Sequence, residues 1–189
     1  MKILITRHGQ TNWNVLGKIQ GQTDIELNEN GKKQAKEISE YIRNENIELI
    51  ITSPLKRAKE TAEIVNKTLN VCIIEDERLM ERCFGEYEGL TKEDRLKLKE
   101  RTPGINDIWN YNKNISFNTM ETMHDFCKRV YEFLEEIIKK YSDKNILLVT
   151  HGGTTLPLLC YLKKCSLEEI TDKNTIKTLE NCEIVKFEI

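Results

Sequence analysis

Met1-Lys2-Ile3-Leu4-Ile5-Thr6-Arg7-His8-Gly9-Gln10-Thr11 is an apolar run that stops abruptly at an arginine, a histidine and a glycine. Residues 1–6 read as a short buried strand. In an open α/β sheet, ligands bind just beyond the carboxyl ends of the parallel strands, which is where Arg7 and His8 would stand. Gly9 would let the backbone turn sharply beside them. The same construction returns twice. Leu49-Ile50-Ile51-Thr52 is followed by Ser53, Pro54 and then Arg57. Leu147-Leu148-Val149-Thr150 is followed by His151, Gly152 and Gly153. Apolar runs separated by helices belong in a parallel sheet covered on both faces. If the three strands are neighbours, Arg7, His8, Arg57 and His151 converge.

The intervening chain supplies the helices. Residues 10–30 are polar and turn-like, a long connection of the kind that is usually functional, and Trp13 argues that it is packed. A helix is expected from about residue 30 to 44, with Ala35, Ile38 and Ile42 on one face. Ser53 as N-cap and Pro54 at the first helical position predict a second helix, with Arg57 in its first turn near the positive helix end. A third strand covers residues 71–74. Residues 75–89 form a loop dense in carboxylates. Residues 91–101 read as a short charged helix. Residues 102–118 read as irregular, with Trp109, Tyr111 and Phe117 either packing the loop down or facing a substrate.

Residues 121–141 predict the longest helix, whose stripe of Met123, Cys127, Val130, Leu134, Ile137 and Tyr141 is a core face. His124 lies one position off that stripe, as a partly exposed structural histidine. After the strand at 145–150, a helix is expected from Thr154 or Thr155, with Pro157 in its first turn. A helical stretch follows at 167–172, and residues 182–189 alternate as an edge strand does. One domain over residues 1–189 accounts for the pattern: an α/β chain, in three α/β/α layers, with a mostly parallel sheet and one antiparallel edge strand.

Composition narrows the function. The 189 residues are 39% hydrophobic and 32% charged, with 29 Lys and Arg against 31 Asp and Glu. A net charge of -2 gives no general attraction to nucleic acid, so an anion site must be local. No apolar stretch reaches membrane-spanning length and the N-terminal run is too short for a signal peptide, so a cytoplasmic protein without a membrane partner is expected. The six cysteines form no C-x-x-C pair and read as free thiols, not as a zinc site. Two guanidinium forks match phosphate oxygens, and a neutral imidazole is a nucleophile. That combination suits phosphoryl transfer through a phosphohistidine, with a carboxylate from residues 75–89 to protonate the leaving oxygen.

Five segments together resemble the histidine phosphatase superfamily, which includes the cofactor-dependent phosphoglycerate mutases. They are Arg7-His8-Gly9-Gln10-Thr11 with Asn14; Gly21-x-x-Asp24-x-x-Leu27; Ser53-Pro54-Leu55-x-Arg57-Ala58-x-x-Thr61-Ala62; Leu79-x-Glu81-x-x-Phe84-Gly85-x-Tyr87-Glu88-Gly89; and Val149-Thr150-His151-Gly152-Gly153. The resemblance implies that His8 becomes phosphorylated. It implies that Arg7, Asn14, Arg57 and His151 hold the phosphoryl oxygens, with the Gly152 N–H as a further donor. It makes Glu81 the general acid, then the base that activates water. It implies no metal and no organic cofactor. This chain has Tyr87 where the family often has Trp, and Met120-Glu121-Thr122 where Gly-Glu-Ser is usual. Cys83, two residues after Glu81, is expected near the site.

The mutases that this family includes carry a long insertion after the Glu-Gly segment, whereas 31 residues separate Gly89 from Glu121 here. The resemblance therefore implies a phosphatase for a small phosphorylated metabolite, of the short kind that includes α-ribazole, sugar-phosphate and broad-specificity phosphatases. The alternatives are a mutase-type phosphoryl transfer and a catalytically silent domain that binds a phosphorylated ligand. Substrate and oligomeric state are not readable from the sequence.

Overall fold

In the computed structural model, residues 1–99, 102–170 and 176–189 are described. Five strands form one sheet among them: β1 (Lys2–Arg7), β2 (Leu49–Thr52), β3 (Cys72–Glu75), β4 (Ile146–Thr150) and β5 (Ile184–Glu188). Their order is β3-β2-β4-β1-β5. All neighbours are parallel except β5, which runs antiparallel to β1 at the edge. The three strands with the repeated pattern are consecutive, as β2-β4-β1.

Their side chains alternate between two cores because successive strand residues point to opposite faces. Ile3, Ile5, Ile51, Ile146 and Leu148 pack with α5 (Met123–Lys140) and α6 (Gly152–Leu162). Leu4, Ile50, Leu147 and Val149 pack with α2 (Glu29–Tyr41) and α3 (Lys56–Leu69). This is the three-layer arrangement that near-continuous apolar strands require. On α5, Met123, Cys127, Val130, Leu134 and Ile137 are buried as the stripe predicts. His124 is exposed; it bonds the Tyr111 carbonyl through Nε2 (3.0 Å) and packs at a tilt against the Tyr111 ring, with centroids 4.5 Å apart.

Several boundaries differ from expectation. The 10–30 loop holds a short helix, α1 (Asn12–Val15), closed by a capping box between Thr11 and Asn14. The helix α3 starts after Leu55, not after Ser53. Ser53 is drawn away by His151, and the first free helix N–H, on Lys56, is capped from outside by Asp24 Oδ1 at 2.7 Å. The helix α6 starts at Gly152, directly on His151, so Pro157 lies one turn further in than expected. The charged helix α4 is Lys92–Lys99, and the expected helical stretch near residue 167 is a single 3₁₀ turn, Leu167–Glu169. The expected ends of both, at residues 100–101 and 171–172, lie outside the described residues.

Candidate active site

The carboxyl ends of β2, β4 and β1 lie side by side. The His8 N–H extends the ladder to the Thr150 carbonyl (2.8 Å), and the Ser53 N–H extends it to Val149 (3.0 Å). The strand ends therefore deliver His8, His151 and, from the first turn of α3, Arg57 to one buried point. The exposures are 2% for His8 and zero for the other two. Gly9 serves this packing by close approach instead of by a turn, because its φ is not positive. A Cβ there would lie 2.5 Å from the Gly31 carbonyl oxygen at the start of α2.

Hydrogen bonds fix both imidazoles. His8 Nδ1 is 2.7 Å from the Gly9 carbonyl oxygen, which can only accept, so the proton is on Nδ1 and the lone pair on Nε2. Arg57 Nε is 3.3 Å from that Nε2 and 3.2 Å from His151 Nδ1, a shared donor for two acceptors. His151 Nε2 then donates to Ser53 Oγ at 2.8 Å. The ring centroids are 5.2 Å apart. Arg57 uses its other donors on the 20s loop, Nη1 to the Thr23 carbonyl (2.9 Å) and Nη2 to Gly21 (2.7 Å). Glu88 holds that loop by accepting from the N–H groups of Gln22, Thr23 and Phe84. Gly21, at φ +51, needs to be glycine because a Cβ would lie 2.0 Å from Glu88 Oε1.

Burial first, and the Arg57 charge second, hold the pKa of both histidines well below the ordinary 6.5. Burial lowers Arg57 to about 10, which leaves it charged at neutral pH. For a base whose folded pKa is depressed, the unfolded chain binds more protons below the unfolded pKa. Stability is therefore complete above about pH 6.5 and falls as the pH drops below it. The slope is at most about 1.4 kcal/mol per pH unit for each histidine. Urea titrations between pH 7.5 and 4.5 should show this fall, and His151→Gln should flatten it. An unchanged slope in that variant would place the acid sensitivity elsewhere.

Glu81 is held from three sides. Its Oε1 accepts from the Arg82 N–H (2.9 Å) and its Oε2 from the Gly153 N–H (2.8 Å) in the first turn of α6. Its backbone carbonyl accepts from Gln22 Nε2 (3.1 Å) and Arg129 Nη2 (3.2 Å). A Cβ on Gly153 would come within 2.4 Å of Glu81 Oε1 and 2.8 Å of the Trp109 ring. Gly153→Ala is therefore expected to displace the carboxylate and lower kcat by about tenfold or more, since about 1 Å of misplacement is costly in catalysis. Wild-type kcat in a folded variant would contradict this.

His8, Glu81, Arg7, Asn14, Arg57 and Gly152 all line one cavity of about 900 Å³. The expected residues are thus brought together, with His151 immediately behind them. The Arg7 guanidinium donates from Nη1 to Leu179 O (3.1 Å) and lies against Gly152, while its Nε is buried without a partner. The Asn14 amide oxygen accepts from Thr11 N–H (3.0 Å) and Thr11 Oγ (3.1 Å), which turns its NH₂ the other way. Lys18, Arg95 and Lys177 add positive charge to the lining, and Glu81 is its one carboxylate among the described residues.

Five participants are not singled out by the sequence. Ser53 holds His151; Arg82 contacts Glu81 by its N–H; Lys18, Arg95 and Lys177 face the cavity. Of the three loop aromatics, Trp109 lines the cavity, whereas Phe117 packs on Tyr87 at 6.1 Å and Tyr111 packs on His124. Tyr87 belongs to that small buried cluster and not to the cavity wall. Cys83 turns its thiol to the Thr119 carbonyl (3.5 Å) and does not line the cavity, despite its closeness in sequence to Glu81. Among the described residues no three His, Cys, Asp or Glu side chains group as a metal site, and no helix is long and apolar enough to cross a membrane.

Comparison with known proteins gives the same fold. The family model described as the histidine phosphatase superfamily (branch 1) matches residues 3–189. An uncharacterised phosphatase of Bacillus subtilis, PhoE, is 39% identical over 157 residues, covering 83% of this chain and 75% of that one. The solved structure of Bacillus stearothermophilus YhfR superposes with a TM-score of 0.88 at 27% identity, covering 100% of this chain and 91% of that one. Phosphoserine phosphatase from Entamoeba histolytica, solved with 3-phosphoglyceric acid, gives a TM-score of 0.83 at 29% identity, covering 99% and 90%.

Proposed function

We propose, from the premise that this chain belongs to branch 1 of the histidine phosphatase superfamily, that His8 is its nucleophile and Glu81 its general acid and base. The observation that carries this reading is the His8 imidazole: buried, held neutral with its proton on Nδ1, lining one cavity with Glu81 and flanked by Arg7 and Arg57.

In the first step, Nε2 attacks the phosphorus of a bound phosphomonoester. The N–P bond forms, the P–O ester bond breaks, and the leaving oxygen takes the proton of the Glu81 carboxyl. In the second step, water gives a proton to the Glu81 carboxylate as its oxygen attacks phosphorus. The N–P bond breaks, phosphate leaves, and His8 and Glu81 return to their starting states. The positive charges of Arg7 and Arg57, the Asn14 NH₂ and the Gly152 N–H would stabilise the phosphoryl oxygens in transit, and His151, whose nitrogens are both engaged, would act by holding Arg57 Nε in place. The unpartnered Arg7 Nε supports this assignment, because a buried donor without a partner is costly until a ligand accepts from it.

The substrate would be a small phosphorylated metabolite, turned over by the 189 residues as one domain. Lys18, Arg95 and Lys177 extend the positive lining beyond the phosphoryl site, which favours substrates with a second negative group. Incubation with p-nitrophenyl phosphate in EDTA tests the reading, with His8→Ala alongside. Release in EDTA that disappears in the variant supports the hydrolase. Label transfer from 2,3-bisphosphoglycerate without hydrolysis points to a mutase. No phosphorylation of His8 by any donor leaves a binding domain.

A further inference from the structure

Arg82 is a buried guanidinium with no place in the steps above. Its exposure is zero and it makes no ion pair with a carboxylate among the described residues. Burying such a charge costs several kcal/mol unless its hydrogen bonds are excellent. Arg82 donates from Nε to the Glu121 carbonyl (2.8 Å) and from Nη1 to the Ile108 carbonyl, and Nη2 is buried without a partner. The guanidinium carbon lies 5.3 Å from the Trp109 ring centroid and 5.8 Å from that of Phe84, so two cavity-lining aromatics bracket it.

These contacts lead to one group. The Arg82 N–H is itself a donor to Glu81 Oε1, and the Trp109 ring lies beside Gly153, the other donor's residue. Glu121, whose carbonyl holds Arg82, uses its carboxylate on Arg129 Nε (2.6 Å) and Nη2 (3.0 Å), and that Nη2 also reaches the Glu81 carbonyl. The loop carrying Ile108 and Trp109 is therefore fastened to the Glu81 turn by the Arg82 guanidinium, alongside the packing of Trp109 on Phe84 at 5.6 Å. Its fork matches two carbonyls that an aliphatic side chain would leave without donors.

We infer that Arg82 is a positioning residue, which ties the Ile108–Trp109 wall to the Glu81 turn and so aims the carboxyl at the leaving oxygen. The inference rests on the reading of Glu81 as general acid. A misaimed acid slows only reactions that need the proton. p-Nitrophenolate leaves with little help, whereas a benzyl alkoxide does not.

The test compares p-nitrophenyl phosphate with benzyl phosphate in the wild type, Arg82→Lys, Arg82→Met and Glu81→Gln. The ratio of the two kcat/KM values cancels any loss of folded protein, so poor folding of one variant does not hide the outcome. Glu81→Gln should shift the ratio against benzyl phosphate by about 10²-fold or more, the usual worth of general acid catalysis. Both Arg82 variants should shift it the same way, by about tenfold or more, with most of the change in kcat. A selective Glu81→Gln beside non-selective Arg82 variants overturns the inference and leaves the Glu81 reading standing. A non-selective Glu81→Gln overturns the Glu81 reading and the inference with it.

Discussion

His8→Ala is expected to lower kcat/KM for p-nitrophenyl phosphate by about 10⁴-fold or more, a loss of roughly 5 kcal/mol of transition-state stabilisation. No other group in the site can replace it. His151 does not line the cavity, and its Nε2 is held on Ser53, so it presents no nitrogen to a bound substrate. Phosphoenzyme should also be absent from acid-free gels of the variant after mixing with labelled substrate. Ala leaves the Arg7, Arg57 and Glu81 partners in place, so phosphate binding measured by calorimetry should survive. A variant that still forms phosphoenzyme would move the nucleophile elsewhere and sink the reading.

Arg57→Lys is expected to cost about 10²- to 10³-fold in kcat/KM, although the charge is kept. Arg57 serves four acceptors from one planar group: two imidazoles through Nε, and the Gly21 and Thr23 carbonyls through Nη2 and Nη1. An ammonium has three donors at a single point and cannot span them. The two carbonyls left without a donor should lower stability by about 2–6 kcal/mol, at roughly 1–3 kcal/mol for each unmet buried group. The 20s loop, which carries one side of the cavity, would lose its anchor to α3. Substrate KM should then rise together with the fall in kcat. A change under fivefold in kcat/KM would mean that Arg57 acts by charge alone.

These two residues also show how far the sequence could be read. His8 was legible because an apolar run ending in a polar cluster has one use in a parallel sheet, and the run recurs at Thr52 and Thr150. Arg57 was legible as a cation near the end of β2, and its convergence with the histidines follows from the β2-β4-β1 order. Its actual use was not legible. Half of its hydrogen bonds go to backbone carbonyls, which every residue possesses and which leave no mark in a sequence. Arg82 was invisible for the same reason, since both of its acceptors are carbonyls from a loop of irregular conformation. Ser53 was misread because Ser-Pro ahead of an apolar stripe is a good local helix start. The His151 imidazole, 98 positions away, takes its hydroxyl instead.

By itself, the sequence determined the three-layer α/β fold, the strands that would carry the site, and the side chains gathered at their ends. Apolar runs of strand length and stripes of helical period leave few other ways to bury their surface. Tertiary structure alone decided the order of the strands, the tautomers of His8 and His151, the depth that keeps them neutral, and the bracket around Glu81. Each of these depends on hydrogen bonds or desolvation between residues far apart in the chain. Such interactions have no local period or composition by which a sequence could announce them.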